Sequence, residues 1–379
     1  MSSSVRALLA AVVLAFGVAA CGTPEPEPRF IEEGNPLLLS DWAQLSVHDG
    51  TLTLAGEVVP YDLNTALFTD YAHKLRTIWM PEGSSAVYRE GEALDFPIGT
   101  VITKTFYYPR GGEAFDEVAR TEDTRRDFQN GVLDLSGVRL IETRVLVHRA
   151  DGWYAIPYRW NDDQTDARLH RTGAVIPMTL VSDTGEREDF NYVMPNVNQC
   201  AGCHAPDSNT RAIAPIGPAP RHLNRDFAYE TGETNQLSHL AEVDFLDGLP
   251  DADAVPHNAA WGNPDETLEA RARSYLDINC SHCHSPVGPA DTSGLHLRPD
   301  TPVGPNLGLC KLPIAAGRGT GNRPYDIDPG HPENSIITYR IDSTIPDVMM
   351  PELGRSTIHV EGLELVTEWI ASLEGDCDG

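Results

Sequence analysis

Apolar positions keep two different periods along the chain. From about residue 46 to 195 they come in short alternating runs, bounded by Gly, Pro, Asn and Asp. Thr100 to Tyr108 is β-branched and aromatic, and Ile141, Thr143, Val145 and Val147 fall on one side of an extended Leu140–His148. Asp151-Gly152 then turns the chain into Trp153–Trp160, the pair expected at a tight hairpin. Thr172–Ser182 and Asp189–Met194 supply further strands. This spacing predicts an antiparallel β-rich domain over 46–195, a sandwich or a barrel.

After Asn198 the period changes. Residues 196–260 form a separate segment, rich in Pro, Gly and Asp from 205 onward, with only short helical candidates such as Gln236–Leu246. Asn263-Pro264 predicts a helix start, with Leu268, Ala272, Tyr275 and Leu276 on one face. Leu363, Val366, Ile370 and Leu373, with Trp369 beside them, predict a terminal helix. The expectation is a multidomain chain whose residues 261–379 form a mainly α-helical domain. At the other end, Arg6 followed by apolar Leu8–Ala20 reads as a secretory signal over residues 1–20, too short to span a bilayer. Residues 21–45 open with Thr-Pro-Glu-Pro-Glu-Pro and read as an extended tether.

Two pentapeptides carry the chemistry. Cys200-Ala-Gly-Cys203-His204 and Cys280-Ser-His-Cys283-His284 are both C-x-x-C-H, the pattern of covalent c-type haem attachment. Thiols three residues apart lie one helical turn apart and can each add to a haem vinyl group. The adjacent His204 or His284 then reaches the iron as proximal ligand. A structural zinc site is the competing reading of repeated C-x-x-C. It would crowd adjacent Cys and His into one small tetrahedron, and the signal sends the chain out of the reducing cytosol. Two covalent haem c groups are therefore expected.

The remaining cysteines follow from that address. Val18-Ala19-Ala20-Cys21 resembles a bacterial lipobox, implying cleavage before Cys21 and lipid on its thiol. Gly22 after it resembles the outer-membrane default. Cys310 and Cys377 are left over, and an oxidising compartment favours a disulfide between them. The balance of 28 Lys and Arg against 56 Asp and Glu gives a net charge of −28. That charge argues against nucleic acid and against an anionic lipid surface, leaving the lipid as the membrane attachment, and favours a redox partner with a positive face.

Helix, C-x-x-C-H, a loop-rich middle, Met-Pro and a terminal helix follow one another in an order that resembles the small single-haem cytochrome c fold. The resemblance implies that Met350, before Pro351, completes the second haem iron, with Met349 as the alternative. Further stretches are Val59–Tyr71, Phe96–Thr100, Ile141–Arg144, Asn198–His204, Ala272–Cys280 and Met349–Gly354. Together they resemble an uncharacterised bacterial family of di-haem c-type cytochromes. Gly217-Pro218 and Leu223-Asn224 resemble the element that lies beside the proximal His in cytochromes c. No Met lies between the two motifs, so the first haem is expected to take His239 or His222, with His257 also available, or to keep an open iron. Two functions follow from the resemblance: envelope electron transfer, or a haem-dependent oxidoreductase (a peroxidase or dehydrogenase subunit). The second would bind its substrate at the β domain, among Asp62, Asp70, Tyr71, His73, Glu142, Arg144 and His148.

Overall fold

The computed structural model describes residues 27–124, 127–314 and 316–377; the signal sequence and Cys21 lie outside them. At its centre is a six-stranded antiparallel sheet. Across it run Ala167–Leu169, Gly152–Trp160, Val138–Arg149, Val101–Pro109, His73–Trp79 and Val59–Tyr61. The Asp151-Gly152 turn joins two of these strands, which pair from Arg149↔Gly152 to Glu142↔Arg159.

One face of this sheet packs on a small four-stranded sheet that contributes Leu45, Leu52 and Leu133. Val145, Val147, Ile156 and Tyr158 meet them in a core closed by Leu39 and Trp42. Trp42 is fully buried, and its Nε1 donates to Tyr158 Oη at 2.8 Å. Residues 30–45 are thus no spacer: Phe30 and Ile31 pack on the same core, and Arg29 N donates to Trp42 O at 3.0 Å. An apolar face left open by short strands needs a cover, and this segment supplies it.

The sheet's other face is shared. At one side Ile78, Ile102 and Leu146 pack under Leu223, Leu237, Leu240 and Val255 from the segment expected to stand apart. At the other, Phe106 and Tyr108 pack against a three-stranded sheet, Arg187–Met194, Ala174–Val181 and Glu117–Ala119. The layers therefore remain open sheets, and no closed barrel forms among the described residues. Strand outweighs helix over the chain.

The expected mainly α-helical C-terminal domain is also not what forms. Between residues 261 and 377 the α-helices are Leu268–Leu276, Ile336–Ile341 and Val360–Ser372, separated by turns and short 3₁₀ segments. The cause lies between them: Pro286, Pro289, Pro299, Pro302, Pro305, Pro313, Pro324 and Pro329, with interspersed Gly, remove donors and helix propensity. This loop-rich stretch is closed by a disulfide between Cys310 and Cys377, 67 residues apart.

Candidate functional site

Two helices present the second motif. Leu268–Leu276 starts behind Thr267, whose Oγ1 accepts from Ala270 N at 3.2 Å, four residues later than Asn263-Pro264 suggests. Its buried Ala272, Tyr275 and Leu276 face Leu365, Val366, Trp369 and Ile370 of Val360–Ser372. Gly362 permits the close crossing: a Cβ there would lie 2.4 Å from Tyr275 Cζ. The helix then widens into a single π turn, Asp277–Ser281, that carries Cys280 out of the stack.

Asp277 sets that turn. Its carboxylate is fully enclosed and accepts from Arg221 Nε (2.7 Å) and Nη2 (3.1 Å), Asn258 Nδ2 (2.9 Å) and Ser281 Oγ (2.6 Å). His222 Nε2 lies 3.2 Å from it. Burial alone would raise the Asp277 pKa, but the His222 and Arg221 contacts more than offset it and hold it below the usual carboxylate range. The middle segment is thereby bound to the C-terminal motif. Asn279 adds the β-rich part, its Oδ1 accepting from Phe68 N at 2.9 Å. Asp70 does the same for the Met-Pro loop. It sits at φ 48° and takes hydrogen bonds from Ser356 N (2.7 Å), Thr357 N (2.8 Å) and both their hydroxyls.

The first motif forms one turn, Ala201–His204. It rests directly against the second: Cys283 Sγ lies 3.6 Å from Gly202 O. A side chain at 202 would meet Leu353 Cδ1 at 2.8 Å from its Cβ, so glycine makes room for that approach.

Each motif opens on a cavity. Cys200, Cys203 and His204 line a narrow one of about 140 Å³, bounded on one side by the central sheet. Cys280, Cys283, His284 and Met350 line one of about 530 Å³. Cys203, Asn279, His282, Pro351 and Leu353 line both and form their common wall. Met349 lines neither.

The histidines are matched in orientation. His204 Nδ1 donates to Ala214 O at 3.2 Å, and His284 Nδ1 donates to Ser293 Oγ at 3.1 Å, the serine proton being given to Ala290 O. Both rings therefore keep Nε2 as a bare acceptor. Burial, then Lys104, lowers His204 to about 3; burial, then Arg340, lowers His284 to about 4. Each ring is neutral at pH 7. All four motif cysteines are free, and burial raises every one of their pKa values, those of Cys280 and Cys283 to about 12.

The sheet side of the first cavity carries a row of cations. Arg76, Lys104 and Arg144 stand in register on three neighbouring strands, with Tyr61 and Pro157 at the row's ends, and all five line the cavity. Asp62 pairs with Arg76 at 2.9 Å and Glu142 with Arg144 at 2.5 Å; among the described residues Lys104 has no carboxylate partner. Burial, then Arg144 and Arg76, lowers Lys104 to about 7. Like charges on adjacent strands repel, so this row suits an anionic occupant.

The other histidines divide differently from the sequence expectation. His222 lines the first cavity, but its Nε2 faces Asp277 and its Nδ1 accepts from Asn258 Nδ2 at 3.3 Å. His239 lines neither motif cavity and stacks on Tyr229 with ring centroids 3.6 Å apart. His257 is half exposed and 3.3 Å from Glu266. Nor do the polar residues of the β-rich part converge on a pocket of their own. His73 bonds Asp127 and Thr121 O, His148 bonds Phe96 O, and Tyr71 bonds Glu361. Arg76, Lys104 and His282 are the lining residues that sequence reasoning passed over. Lys104, a cation amid the β-branched Thr100–Tyr108 run, was the available signal.

Among the described residues no group of three or more His, Cys, Asp or Glu side chains is placed to hold a metal ion between them. The chain matches no protein-family model, no curated protein and no solved structure, and its own geometry carries the functional reading.

Replacing Asp277 with Ala leaves the Arg221 guanidinium and the donors of His222 and Asn258 without their acceptor. The expected loss of stability is about 3–5 kcal/mol, read as a lower denaturant midpoint; an unchanged midpoint would show that the carboxylate does not hold the motifs together.

Proposed function

We propose that the chain is a di-haem c-type cytochrome that passes single electrons between redox partners in the bacterial cell envelope. One observation carries this reading. Two pairs of free cysteines, each followed by a His with a bare Nε2, open on two adjoining cavities, while the remaining described cysteines form a disulfide.

The residues suit haem c at both positions. Cys200 and Cys203 would hold one group through thioether bonds and Cys280 and Cys283 the other, with His204 and His284 as the proximal iron ligands. Met350 lies on the cavity of the second motif and would offer its thioether sulfur there. Haem, when bound, supplies the one-electron chemistry. The chain's own contribution is orientation and field. Ala214 O and Ser293 Oγ fix the two imidazoles, and Arg76, Lys104 and Arg144 offer positive charge to the carboxylates of a group in the first cavity.

Lipid on Cys21 would tether the protein, with the outer membrane as its site. Among the described residues no helix is long and apolar enough to cross a membrane. The net charge of −28 suits a partner with a positive face.

Two tests follow. Cys280→Ala with Cys283→Ala should halve the covalent haem measured by pyridine haemochrome; a full complement would contradict the attachment. In a potentiometric titration Met350→His should lower the upper midpoint and leave the lower nearly unmoved, because thioether ligation favours ferrous iron. If Met349→His alone reproduces the shift, Met350 is not the ligand.

A further inference from the structure

Resting on the di-haem reading, we propose that His282, between the two cysteines of the C-terminal motif, is the distal ligand of the N-terminal haem. One peptide, Cys280-Ser-His-Cys283, would then hold its own haem by two thiols and the neighbouring iron by an imidazole.

The ring's position carries the argument. His282 lines the first cavity together with His204 and also borders the second. It is held there from both sides: Ser281 is tied back to Asp277, and Cys283 rests on Gly202. Neither ring nitrogen makes a hydrogen bond, and Nδ1 is buried without a partner. A buried ring nitrogen left so costs about 1–3 kcal/mol, and an orphan of this kind calls for a bound group. In a cavity that His204 also lines, an imidazole is a natural sixth ligand for iron.

The other nitrogen donors of this cavity are less suited. His222 has both nitrogens engaged by Asp277 and Asn258. The guanidinium groups of Arg76 and Arg144 are paired and hold no free lone pair. Lys104 is the true competitor, since its amine has no carboxylate partner among the described residues, but it belongs to the cation row and its Nζ lies 5.3 Å over the Phe106 ring. Methionine is absent from the lining.

The arrangement would tie the two centres together. One residue of the motif that would anchor the second haem would also reach the first iron, since His282 borders both cavities.

The test uses the full-length holoprotein and its electron paramagnetic resonance spectrum, with haem counted separately by pyridine haemochrome. Wild type should show two low-spin haems, one of them bis-imidazole. His282→Ala should keep two haems per chain, convert half of the iron to high spin, and regain the low-spin signal on adding imidazole. Lys104→Ala, which removes one charge of the cation row, should leave both haems low spin. His282→Met, which retains bulk and a ligand, should raise the lower midpoint potential alone, and this serves if the alanine variant fails to mature. A bis-imidazole signal that survives His282→Ala overturns the proposal, as does a low-spin signal lost in Lys104→Ala or a high-spin haem in the wild type. A lower midpoint that does not move in His282→Met overturns it as well. Fewer than two haems in the wild type removes the di-haem reading itself.

Discussion

A single buried carboxylate holds the site in register. Asp277 gathers Arg221, His222 and Asn258 from the middle of the chain and Ser281 from the motif it precedes. Five donors, three of them from Arg221 and His222 of Pro220–Leu223 and one each from Asn258 and Ser281, surround one charge and offset its desolvation. Loosen that node and Cys280, His282 and Cys283 lose their common bearing. The contact of Cys283 with Gly202 would go with it.

The β-rich part is best understood through the same geometry. Its central sheet forms a wall of the first cavity and supplies the cation row Arg76, Lys104 and Arg144. Its Phe68–Tyr71 turn reaches across to Asn279 and Glu361, and Asp70 clamps Ser356 and Thr357 behind the Met-Pro loop. The three segments distinguished by composition thus converge on one pair of cavities.

What could be read in advance was local. The C-x-x-C-H spacing, the Asp-Gly hairpin and the 3.6-residue stripe of Leu363, Val366 and Ile370 each depend on neighbours in sequence, and each is present. Met350 could be favoured over Met349 from its place before proline, and it is the one on the cavity. What depends on distant contacts could not be read. Asp277 is one acidic residue among 56 acidic positions until Arg221 and His222 are brought to it. His222 and His239 were reasonable ligands by residue type; one is spent on Asp277 and the other lies elsewhere. The helical content of the C-terminal part was overrated because two amphipathic stripes were extended over a Pro- and Gly-rich stretch that cannot support helix. His282 was hidden inside a motif whose intervening positions are usually treated as spacers.

The central claim is that both motifs carry covalent haem in adjoining cavities. Mass spectrometry of the denatured wild-type chain, followed by peptide mapping, tests it most directly. The account predicts an intact mass increased by two haem groups, one on the peptide containing Cys200 and Cys203 and one on that containing Cys280 and Cys283. Bare thiols at either pair, or zinc released in stoichiometric amount by acid, would contradict it.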